Sequence, residues 1–124
     1  MIIHTAQYKY KGKDRLDITV KGQDPLGKYF APTWSMVNDL KSGSLSEKEY
    51  IYKYNKILKN VPFIIWKKLL NKDVVTLVCF CSENQFCHRF LLAKKLIKKG
   101  AIYEGERFNV SYFNLNKEDI PKLF

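Results

Sequence analysis

The chain lacks any hydrophobic run near the roughly 20 residues that a membrane-spanning helix needs, so no such helix is expected. Its opening residues, MIIHTAQYKYKGK, have no basic start followed by a long apolar core, so no secretory leader is expected and the protein reads as cytoplasmic. Acidic residues are scarce: 12 Asp and Glu face 22 Lys and Arg, a formal net charge of +10. That imbalance exceeds the magnitude of about 2 to 8 usual for a small domain. It points to an anionic partner: nucleic acid, nucleotide, phosphate or an acidic protein face. Heavy use of Lys, Tyr and Asn throughout offers a compositional account of the same number. Cysteines number three, an odd count. In a reducing compartment this speaks for free thiols, a metal site or thiol chemistry, and against a disulfide framework. The sequence has no internal repeat, low-complexity linker or coiled-coil heptad.

What is present suits one folded domain, residues 1–124, with 46% hydrophobic and 15% aromatic residues. The pattern is organised around Val74 to Gly100, VVTLVCFCSENQFCHRFLLAKKLIKKG. An apolar, β-branched run through Phe80 reads as a strand buried on both faces, as in a parallel sheet with helices on either side. A helix is predicted from about His88 to Lys99, with Gly100 as its stop. Upstream, Ile2 to Tyr8 reads as a first strand and Leu16 to Val20 as a half-buried second one. Thr33 caps a short helix through Leu40, with Trp34, Val37 and Leu40 expected to face inward. Ser46 and Glu49 form a capping box for a helix to about Asn60, whose stripe is Tyr50, Tyr54, Ile57, Leu58 and Val61. A shorter helix spans about Phe63 to Leu70. Between Lys41 and Lys72 stand eight Lys and two Glu, either a solvated helical surface or a DNA-facing one. Glu104 to Glu106 reads as a turn, and Arg107 to Phe113 as a last short strand.

All three cysteines fall where the central strand meets its helix, in the spacing C-x-C-x5-C-H: Cys79, Cys81, Cys87 and His88. Four such ligands could hold zinc or iron, but structural zinc sites use cysteine pairs two to four residues apart, which is not the pattern here. The favoured reading is therefore not metal. Cys87, His88 and Arg89 fall at a helix start, where unpaired N–H groups and the helix dipole attract an anion. Arg89 would add a bidentate contact. The same field would make Cys87 a thiolate and a nucleophile. His88 would move a proton or satisfy a backbone carbonyl, and Glu83 would orient either. A packed loop, with buried thiols and Arg89 paired to an acid, is the plainer alternative.

These residues resemble the DUF488 family of small bacterial and phage proteins, over nearly the whole chain. The resemblance rests on IIHTAQYKY, on LDITVKG, on Phe30-Ala31-Pro32-Thr33-Trp34, on Tyr50 and Tyr54, and on Phe86-Cys87-His88-Arg89 after an apolar strand. It implies an α/β, three-layer Rossmann-like domain with a mostly parallel sheet. It also implies a pocket between the ends of strands one and three, the Pro32–Trp34 segment and the C-H-R helix start. No cofactor and no particular activity follow from it. One position departs from the family pattern: Cys81 stands where an acid is usual, with Glu83 two residues on.

The functional expectation is a domain that binds a nucleotide, nucleic-acid end or other phosphorylated ligand and acts on it, with Cys87, His88 and Glu83 catalytic. Arg89 would hold the anion, His4, Thr5 and Gln7 would line the opposing wall with Pro32, and Tyr29, Trp34 or Tyr50 would stack on a base. The alternatives are a metal- or thiol-dependent enzyme built on the same cluster, and a non-catalytic accessory protein that binds DNA or a host protein.

Overall fold

The computed structural model describes residues 1–80 and 87–107. Its elements are β1 (Ile2–Gln7), β2 (Arg15–Asp17), a 3-10 turn (Gly27–Phe30), α1 (Trp34–Ser42), α2 (Glu47–Lys59), α3 (Phe63–Leu70), β3 (Val74–Cys79), α4 (His88–Lys98) and β4 (Ile102–Arg107). The four strands make one wholly parallel sheet in the order β2-β3-β1-β4. This is a small α/β, Rossmann-like domain. Among the described residues no helix is long and apolar enough to cross a membrane.

Local chemistry places the helices. Thr33 accepts a hydrogen bond from Met36 N at 3.1 Å, fixing the start of α1. Ser46 and Glu49 exchange the reciprocal bonds of a capping box at α2. Tyr50, Tyr54 and Leu58 are the buried face of α2. In α1 Met36 is buried and Leu40 is partly buried against the same core, as expected for Leu40, whereas Trp34 is 49% exposed. Thr33 as cap starts the helix at Trp34, and Met36, two positions on, is turned toward the core.

Strand parity divides the sheet into two unlike faces. Ile3, Leu16, Val75, Leu77 and Cys79 share a core with buried residues of all four helices. The opposite face carries Ala6 and Val78, packed by Tyr10 and Tyr8. Handedness explains the asymmetry. The connections β2 to β3 and β3 to β4 both run toward the β4 edge, so right-handed crossovers put their helices on one face. The β1 to β2 connection runs the other way and crosses the opposite face. That connection is residues 8–14, too short for a helix. Strand β3 is buried on both faces as expected, but among the described residues its second cover is this strap and not helices. Asp14 fastens the strap, accepting from Tyr10 Oη at 2.5 Å and Thr76 Oγ1 at 2.7 Å, with Arg107 at 3.6 Å. Burial raises the Asp14 carboxyl, but those partners outweigh it and hold it below the usual range.

Glu104 to Glu106 is strand and not turn. Gly105 has φ +98°, and the β1 register slips there: Ile3 pairs with Tyr103, Thr5 with Glu106. A bulge of this kind adds one residue to one strand, which turns Glu106, in place of Gly105, toward the helical face. The last strand ends at Arg107 as described; residues 108–113 lie outside the described residues.

Candidate functional site

In an open parallel sheet, ligands settle at the carboxyl ends of adjacent strands whose onward connections leave on opposite faces. Here that pair is β1, which leaves by the strap, and β3, which leaves through α4. Their ends are Gln7–Tyr8 and Cys79–Phe80.

On the helical face of this switch point lies a buried sulfur cluster. The Sγ atoms of Cys79 and Cys87 meet within bonding distance as a disulfide, their Cα atoms 7.8 Å apart. Reduction of the bridge by a two-electron thiol reductant, with uptake of two protons, gives two thiols at the same positions. The odd cysteine count argued against a bridge; the strand end and the helix N-cap nonetheless bring two of the three together. Cys81 lies outside the described residues, as does Glu83.

Each sulfur has a nitrogen neighbour. Arg89 donates from Nη1 to Cys79 Sγ at 3.0 Å and from Nη2 to Glu106 Oε2 at 3.0 Å. The guanidinium is fully buried. The expectation that Arg89 clamps a ligand anion is thus corrected: its charge is spent inside the protein, because the bulge at Gly105 delivers Glu106 to it. His88 lies with Nδ1 3.7 Å from Cys87 Sγ and with Nε2 2.6 Å from the Ile18 carbonyl. A carbonyl only accepts, so Nε2 carries the proton and Nδ1 presents a lone pair to the sulfurs. The Ile18 carbonyl is itself aimed by Asp17, whose Oδ1 accepts from Thr19 N and Thr19 Oγ1. Burial, opposed by the Ile18 bond, lowers the His88 pKa to about 4. His88 is therefore neutral near pH 7 and acts as an acceptor. The Tyr54 ring packs edge-on against it at 5.6 Å, and Tyr54 Oη donates to the Phe30 carbonyl. Cys79 Sγ, Cys87 Sγ and a His88 ring nitrogen lie within 4.8 Å of one another.

The other residues singled out by sequence are dispersed. His4 does not line the sulfur site: strand parity puts it on the strap face, 3.8 Å from Glu104, with burial and then Arg107 lowering its pKa. Thr5 is buried on the helical face and shares a 2.7 Å hydrogen bond with Tyr103 Oη. Gln7 is exposed at the end of β1. Pro32 is buried, Tyr29 is exposed, and Trp34 carries the Lys21 ammonium over its ring at 5.1 Å. Tyr50 is buried and stacked on Tyr54, so it is a core residue and not a base platform.

Sequence reasoning missed Cys79 as the sulfur facing a guanidinium, and missed Glu106 and Tyr8. Cys79 carried a usable signal, as the last residue of an apolar strand facing a cysteine at the next helix start. Glu106 carried none, because a one-residue register slip is invisible in the pattern.

The wholly parallel sheet of order β2-β3-β1-β4 and a polar cluster at its switch point define a small Rossmann-like α/β protein. A family model described as the active DUF488-N3 subclade matches residues 2–100. The chain belongs to the DUF488 family. No curated protein and no solved structure matches it.

Proposed function

We propose that the chain is a thiol-dependent enzyme whose nucleophile is Cys79. The observation that carries this reading is the Arg89 Nη1 contact on Cys79 Sγ, from a guanidinium fixed on its other side by Glu106. A cation beside sulfur favours the thiolate, and a buried, pre-paired arginine holds its position without reorganisation. The description of the matching subclade as active agrees with catalysis. In the reduced protein, Cys79 Sγ supplies the electron pair of a new bond to an electrophilic carbon or phosphorus. The leaving group departs with the pair of the bond that breaks, and water releases the adduct and restores the thiolate. Cys87 Sγ, held toward the neutral His88, keeps the thiol form. The net charge of +10 suits an anionic or nucleotide substrate.

Iodoacetamide labelling of the reduced protein against pH, read by peptide mapping, tests the assignment. The Cys79 peptide is expected to label with a midpoint below the ordinary thiol value of about 8.5, and Arg89→Lys to move that midpoint. A Cys79 that labels only with ordinary pH dependence sinks the proposal. One observation favours a second reading, a zinc site: three soft donors cluster, with the His88 proton parked on a carbonyl as metal-bound imidazoles require. Near-stoichiometric zinc in elemental analysis of unchelated protein would select it over the nucleophile.

A further inference from the structure

The strap-side wall of the same switch point is aromatic and open. Tyr8 and Phe80, the residues just beyond β1 and β3, stack with ring centroids 4.0 Å apart and planes at 17°. The Arg15 guanidinium lies 4.7 Å from the Tyr8 centroid and donates to the Tyr8 carbonyl. One face of Tyr8 is taken by Phe80, so Arg15 backs the other, and the tier runs Arg15, Tyr8, Phe80. Phe80 is 67% exposed although one ring face is stacked; its outer face is therefore open. Burying such a ring would be favourable, whereas its neighbour on β3, Cys79, is buried on the other side of the sheet.

A cation lies within reach. Arg107 ends β4 in register with Ala6, on the strap face, and its Nη2 is 3.6 Å from Asp14. Its Nε is buried and has no hydrogen-bond partner among the described residues. Phe80 lies two strands across and two residues further along from it, so their Cα atoms are separated by roughly 12 Å, comparable to the reach of a nucleoside monophosphate.

We infer that Phe80 and Tyr8 form a nucleobase-stacking platform, with Arg107 taking the phosphate, so that the ligand class is a nucleotide laid across the strap face at the β1/β3 switch point. Cys79 lies on the opposite face of the sheet, so this inference goes beyond the thiol reading and stands apart from it, and it replaces the stacking residues expected from sequence.

The test is titration of the full chain with AMP, adenosine and ribose 5-phosphate, followed by NMR chemical-shift changes. AMP is expected to bind more tightly than adenosine, and ribose 5-phosphate weakly. Phe80→Ala is expected to weaken AMP by about 10-fold or more, and Phe80→Trp to restore it. Arg107→Gln is expected to erase the preference of AMP over adenosine. Equal AMP affinity in wild type and Phe80→Ala overturns the platform, as does ribose 5-phosphate binding as well as AMP, or no AMP binding at millimolar concentration. The iodoacetamide profile of Cys79 in the wild-type protein, set beside its AMP titration, separates the two proposals. A normal base-binding protein with an ordinary Cys79 rejects only the nucleophile, and an activated Cys79 with no base binding rejects only the platform.

Discussion

Arg89→Ala is expected to lower the unfolding free energy by about 3 to 5 kcal/mol, measured by urea denaturation near neutral pH. The guanidinium is fully buried, and its removal leaves the Glu106 carboxylate, itself mostly covered, facing a void with no cation. It also removes the donor on Cys79 Sγ. Lysine keeps the charge but not the planar fork that reaches carboxylate and sulfur together, so Arg89→Lys should retain part of the loss. A wild-type denaturation midpoint in Arg89→Ala would mean that the Arg89–Glu106 pair contributes nothing to the fold. A surface anion clamp predicts the opposite pattern, lost ligand and intact stability, and the burial of Arg89 is the reason to expect otherwise.

The second large effect is a pH dependence. His88 has a folded pKa of about 4 against an ordinary value of 6.5. The unfolded chain therefore takes up a proton as pH falls through 6.5, while the folded chain does not until about 4. Stability from this group is complete above the unfolded value, is lost as pH falls through that window, and is level below it. Between about pH 7.5 and 5 the loss should be about 2 kcal/mol. The groups facing the ring set the sign: burial and the Arg89 charge oppose the imidazolium, and the Ile18 carbonyl and Asp17 favour it less strongly. Asp14, whose carboxyl is held low, contributes its own loss only at more acidic pH. Urea denaturation of wild type and His88→Gln at both pH values checks this. An unchanged wild-type slope in His88→Gln would assign the dependence to another group.

Much of the fold was legible. The apolar run of β3, the capping box at Ser46 and the stripe of Tyr50, Tyr54 and Leu58 are local signals, and each gave its element. The stop at Gly100 was equally local. What was not legible is long-range. The direction of the first crossover decides that a short strap, and not a helix, covers Ala6 and Val78, and no residue in 8–14 announces it. The slip at Gly105 decides which acid meets Arg89. In the site, Cys87 and His88 were read at the right helix start, but His4 was assigned to the wrong face: parity places it opposite Thr5, and only the strand register shows which parity faces the helices.

Strand β1 precedes both of its sheet partners in chain order. β1 lies between β3 and β4, and its partners begin only at Val74 and Ile102. During synthesis its Ile2 to Gln7 edge groups stay unpaired until β3 and β4 have emerged, and an unpaired apolar strand is a template for association. The nascent protein thus depends on whatever shields that strand, and its yield in cells should respond to chaperone supply more than the finished domain's stability does.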